Sequence, residues 1–155
     1  MNSPAILQQG FQVEAITTDR LLDLYSRVSN SVSIYTSYGQ AGYEEFMRFI
    51  RDGFLVVRFP FGIAIAKHGE YSHIIDAHLI IWSKEVFKQQ ELIVAAARKV
   101  MQETGATRVE AKFPSHIRAL HAILRKAGFV EEGKLHKYMK VGVECFDVSV
   151  YAIVR

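Results

Sequence analysis

The chain has 155 residues, half of them hydrophobic and 12% aromatic, and 19 Lys and Arg against 16 Asp and Glu leave a net charge of +3. That length fits one domain, residues 1–155, with a core of its own, and the frequent aromatics and balanced charge exclude a disordered chain. No apolar run reaches the ~18 residues of a membrane span; the longest, Ile74 to Trp82, is interrupted by Asp76 and His78. Cys145 is the only cysteine, which excludes an internal disulfide and argues against a zinc site. The first ten residues carry neither a basic nor an apolar signal region, so a cytoplasmic setting is expected and no membrane partner. Cations and anions are interspersed, so no nucleic-acid partner is expected either.

In chain order, Phe11 to Ile16 alternates apolar and polar residues and predicts a half-buried strand. Thr17, Thr18 and Asp19 supply N-cap residues for a helix carrying Leu21, Leu22, Leu24, Tyr25 and Val28. A second helix fits Tyr43 to Arg51, with Gly53 as its stop. Three strands follow: Phe54 to Phe59, Ile63 to Lys67 after a turn at Pro60-Phe61-Gly62, and Ser72 to Trp82 after His68-Gly69-Glu70. The period then becomes helical over Phe87 to Thr104, with Gly105 as C-cap. Thr107 to Phe113 is a strand, Ser115 is placed to cap a helix running to Gly128, and Phe129–Val130, Lys134–Val141 and Cys145–Val154 complete the sheet. The order β-α-α-β-β-β-α-β-α-β-β predicts a mixed α/β (α+β) domain, a twisted sheet flanked by helices.

Within Val109 to Gly133, a strand and a helix lead into Leu-Arg-Lys-Ala-Gly-Phe-Val-Glu-Glu-Gly. This segment resembles the C-terminal half of the GCN5-related N-acetyltransferases, the GNAT superfamily, and the element order extends the resemblance over essentially the whole chain. Gly128 would stop the helix at positive φ, Phe129 would plug the core, and Gly133 would permit a turn into the last hairpin. The resemblance implies acetyl-CoA as cofactor, held where two parallel strands, here Ile74–Trp82 and Thr107–Phe113, splay apart. Its pyrophosphate would meet backbone N–H groups at the start of the intervening helix, which assigns cofactor binding to Trp82, Ser83, Lys84 and Lys88. The family's glycine-rich loop is absent from Trp82-Ser83-Lys84-Glu85-Val86-Phe87-Lys88, so weak acetyl-CoA binding or none is expected. The family's asparagine falls on Ile117 and its tyrosine acid on Leu124. Ser115-His116-Ile117-Arg118 also resembles GNAT-like proteins of tailed phages with virion or head-assembly roles.

Asp76 and His78 lie two apart on the central strand and share a face, which makes His78 a candidate general base oriented by Asp76; the alternative is a structural polar pair. His116, His121, Arg118 and Arg125 form a candidate cationic strip for a CoA phosphate or an acidic partner, against a plain solvated face. Histidine spacing does not suit a metal, and none is expected. Cys145 reads as a packing residue, and Tyr138 lies in the last hairpin region. Tyr35, Tyr38 and Tyr43 cluster near the loop before the second helix, where the resemblance implies an acceptor wall, so a tyrosine there is a candidate to bind substrate or donate a proton, against a plain surface tyrosine. Two functions stay open. One is N-acetyl transfer to a small-molecule or protein amine, with the oxyanion held by strand N–H groups. The other is a non-catalytic GNAT-like module with a protein assembly partner, of the phage kind.

Overall fold

The computed structural model describes residues 10–17, Asp19, Asp23, Ser26, 35–36, 51–141 and 143–155. Among these residues eight strands form one mixed sheet: β1 (Gln12–Ala15), β2 (Tyr35–Thr36), β3 (Gly53–Phe59), β4 (Gly62–His68), β5 (Ile74–Ile81), β6 (Arg108–Pro114), β7 (Val130–Val141) and β8 (Glu144–Val154). The spatial order is β1-β3-β4-β5-β6-β8-β7, with β2 beside β5. β5 and β6 are parallel neighbours joined through α1 (Glu91–Thr104), and α2 (Arg118–Ala127) links β6 to β7. Of the helix expected over 21–28 only Asp23 and Ser26 are described, both helical, as is Asp19 before it. The helix expected over 43–51, with Tyr43, falls outside the described residues except for its last position, and Tyr38 lies outside them too.

Both described helices bury one stripe on the same sheet face. Ile93, Ala96, Ala97, Val100 and Met101 of α1 and Leu120, Ile123, Leu124 and Ala127 of α2 join Phe59, Ile75, Leu79, Phe113, Tyr151 and Phe129 in one core. The i, i+3, i+4 spacing makes that stripe. Gly105 and Gly128 end the helices at φ +77° and +106°. At Gly128 the N–H donates to Leu124 and Arg125, and the Phe129 N–H donates to the Leu124 carbonyl at 2.9 Å, the pattern of a Schellman ending.

Five sequence expectations need correction. The helix predicted from Phe87 begins at Glu91, because residues Lys84–Lys88 form a 3₁₀ turn anchored by the fully buried Val86. Ser115 does not cap α2: its hydroxyl bonds Ser149 at 2.8 Å, and Ile117 takes the cap position without a side-chain bond. The strand pieces Phe129–Val130 and Lys134–Val141 are one strand, so Gly133 makes no turn and sits at a bulge instead. A short strand, β2, is added between the N-terminal helical residues and β3. The cationic strip does not form, since His116 precedes α2, and His121 turns inward to Tyr151 while Arg125 pairs with Glu131 at 2.7 Å.

Candidate functional site

The sheet opens at its centre. β5 pairs with β6 only over Ile74–Ala77 and Arg108–Ala111. Beyond that point β5 continues along β4 to Ile81, and β6 continues along β8 to Pro114. β2 pairs antiparallel with Ile80 and Ile81, so a segment of the chain itself occupies the end of β5.

On the face opposite the helical core, strand alternation gathers polar side chains into two rows. Lys67, Asp76 and Glu110 are ladder partners across β4, β5 and β6. His78 and Lys112 stand two residues further along β5 and β6. With Ala77, Tyr138, Met139 and Val148 they line a cavity of about 140 Å³, far more than the roughly 10–15 Å³ that a single water needs. Tyr138 and Met139 are consecutive and would ordinarily point to opposite faces. A bulge between Leu135 and Met139, with Lys137 at φ +50° and its N–H donated to Asp147 Oδ1 at 2.9 Å, lets both reach the cavity. Tyr138 is exposed, and its ring lies 6.0 Å from Lys112 Nζ.

Charge sets what each group can do. Glu110 is held by Arg108 at 2.7 Å and Lys112 at 3.7 Å, and Arg108 also grips Glu132. Burial raises the Asp76 carboxyl above its ordinary range, against the pull of Lys112 and Lys67 and with the help of Glu110, its hydrogen-bond partner. His78 is only 5% exposed. Burial, reinforced by Lys67 and Lys112, pushes it down to about 3. A neutral imidazole that weakly basic suits hydrogen bonding better than proton abstraction near pH 7, and Asp76 is the better-matched base of the two. Asp76 and His78 therefore lie together as the sequence suggested. Lys67, Glu110 and Lys112 were missed; Glu110 and Lys112 alternate with buried Val109, Ala111 and Phe113, which was the available signal.

The residues expected to hold acetyl-CoA lie past the open end of β5. The Trp82 N–H donates to the Phe61 carbonyl at 3.0 Å. Ser83 caps the 3₁₀ turn, accepting from Glu85 N at 3.2 Å. Lys84 is exposed, and Lys88 pairs with Glu85 at 3.6 Å. The N–H groups of Val86, Gln89, Leu92 and Ile93 donate to Ser83, Val86, Gln89 and Gln90 carbonyls. A pyrophosphate held at a helix start needs such donors unclaimed; here the N–H groups of Trp82, Glu85, Val86, Gln89, Leu92 and Ile93 are bonded within the chain, and these residues do not fit the group. Leu124, at the family's tyrosine position, is fully buried in the core, and Ile117 packs against it.

Among the described residues no group of three or more His, Cys, Asp or Glu is placed to hold a metal ion, and no helix is long and apolar enough to cross a membrane. Cys145 is exposed rather than packed, which corrects its sequence reading.

No family model and no curated protein matches the chain. Solved structures do. A GNAT-family acetyltransferase from Bacillus anthracis matches with a TM-score of 0.69 at 18% identity, covering 94% of this chain and 95% of that one. Spermidine N-acetyltransferase from Vibrio cholerae, as a mutant, matches at 0.67 and 16% identity over 94% of each chain. A Bacillus subtilis acetyltransferase in complex with CoA matches at 0.63 and 13% identity over 94% of this chain and 97% of that one. The chain has the GNAT fold.

Proposed function

We propose that this chain uses the GNAT frame as a binding module: the polar cavity takes an amine-bearing small molecule, and acetyl-CoA is not held as in an active acetyltransferase. The observation that carries the reading is the internal use of the N–H groups of Glu85, Val86, Gln89, Leu92 and Ile93. The helix dipole that remains there is worth only about 0.3–1 kcal/mol to an exposed anion, against about 8 kcal/mol for a micromolar ligand. A virion-assembly role with a protein partner, implied by the Ser115–Arg118 resemblance, is compatible, because it needs the frame and not the cofactor.

N-acetyl transfer to an amine is the second reading, favoured by the cavity and by the raised carboxyl of Asp76. Thermal unfolding with acetyl-CoA separates the two. A ligand at a hundredfold excess over its Kd stabilises by about 2.7 kcal/mol, several degrees in Tm for a chain of this size. We expect no shift at near-millimolar acetyl-CoA. A clear shift at micromolar concentration, lost in Lys84→Glu or Lys88→Glu, would make the enzyme the leading reading.

A further inference from the structure

We infer that the cavity between β4, β5, β6 and β7 is a site for a small zwitterion, a short-chain amino acid whose ammonium meets Asp76 and whose carboxylate meets Lys67. The inference rests on reading this cavity as the working site, and it adds the ligand's class.

Four charged side chains line the space, two carboxylates and two ammonium groups. Glu110 and Lys112 compensate each other at 3.7 Å, and Arg108 completes Glu110 at 2.7 Å. Lys67 is left, and so is Asp76, whose hydrogen bond is to another carboxyl, Glu110, and not to a cation. They are directly opposed in the β4–β5 ladder, yet among the described residues neither has an ion pair within 4.0 Å. Their side chains therefore flank a gap that a ligand bearing both charges can close. A simple amine would answer Asp76 and leave Lys67 facing a cation, and a simple carboxylate would do the reverse. Leaving one charge uncompensated in a half-buried site is the costly outcome. His78, neutral between the two ammonium groups, adds a hydrogen-bonding group without changing the balance. Tyr138, Met139, Val148 and Ala77 supply the apolar wall that a short carbon chain requires.

The test is calorimetric titration of the full chain with four probes: β-alanine, γ-aminobutyrate, propylamine and propionate. Charge-assisted contacts are worth about 1.5–3 kcal/mol, so each single-charge probe should bind about tenfold to hundredfold more weakly than the better zwitterion. Asp76→Asn and Lys67→Met should each reduce zwitterion binding to the level of the single-charge probes, with circular dichroism verifying the fold. Propylamine binding as tightly as either zwitterion would overturn the inference in favour of a plain amine site. No zwitterion binding at ten-millimolar probe with the wild-type chain folded would overturn it outright. Acetyl-CoA is absent from these titrations, so its own binding, which decides the reading above, is measured separately.

Discussion

Phe129 shows how one side chain closes the core. It follows Gly128 directly, is 5% exposed, and stands among α1, α2 and the sheet. It also borders an apolar cavity of about 40 Å³ lined by Ala64, Ala66, Ala77, Ala96, Ala97 and Ala111, among other apolar side chains. Phe129→Ala would enlarge a void that already exists, and alanine neighbours cannot lean in to fill it. The expected cost is about 3–5 kcal/mol, the range for emptying a buried aromatic site, read as a lower denaturant midpoint at unchanged slope. A midpoint equal to wild type would mean that the ring is not part of the core. Tyr151 illustrates a buried polar handle. Its hydroxyl lies 2.7 Å from His121 Nδ1 and 3.2 Å from Glu131 Oε2, and burial, then Glu131, pushes the phenol up to about 12. It keeps its proton and ties α2 to β7 and β8.

At the scale of elements, two glycines do different work. Gly128 sits at φ +106°, and a Cβ there would meet nothing closer than Val94 at 3.9 Å. Gly128→Ala therefore meets backbone strain alone, about 1–2 kcal/mol. Gly62 has no positive φ, but a Cβ there would overlap the Ile80 carbonyl oxygen and lie 2.9 Å from Ile81 Cα. Gly62→Ala must push β4 from β5, and should cost about 3 kcal/mol or more, at the upper end of overpacking. Equal losses of stability in the two variants would refute this division between strain and clash. The Gly128 ending, the parallel β5–β6 pair and the helix between them were legible in the sequence, because a positive-φ stop and a change of hydrophobic period are local signals. The site was legible only in part. Asp76 and His78 share a strand, so period 2 put them together, whereas Asp76 faces Lys67 and Glu110 through registers set by pairing between distant segments. β2 has two residues and no period to read, and the turn at Lys84–Lys88 follows from burying Val86 rather than from a capping signal.

The whole molecule should feel the buried imidazole as acid sensitivity. His78 is held near 3 in the folded chain against 6.5 when free, so between those values the unfolded state binds the extra proton. Stability tied to His78 is therefore fully present above about pH 6.5 and is lost as pH falls toward 3. The slope approaches about 1.4 kcal/mol per pH unit within that window. Asp76 works against it: its raised carboxyl takes up a proton in the folded chain above the pH at which the free group would, which favours folding as pH falls. The carboxylates of Glu131, Glu132 and Asp147, lowered by Arg125, Arg108 and the Lys137 N–H respectively, act in the same sense as His78. They sit at the surface, where such pairs are worth little, and free carboxylates are already ionised above about pH 5. The interval from pH 5 to 6.5 thus isolates the imidazole from these three groups. Chemical denaturation across it should show wild-type stability falling as pH falls, and His78→Gln should flatten that fall whatever its stability at pH 7. A slope unchanged in His78→Gln would place the proton uptake elsewhere and remove His78 as its source.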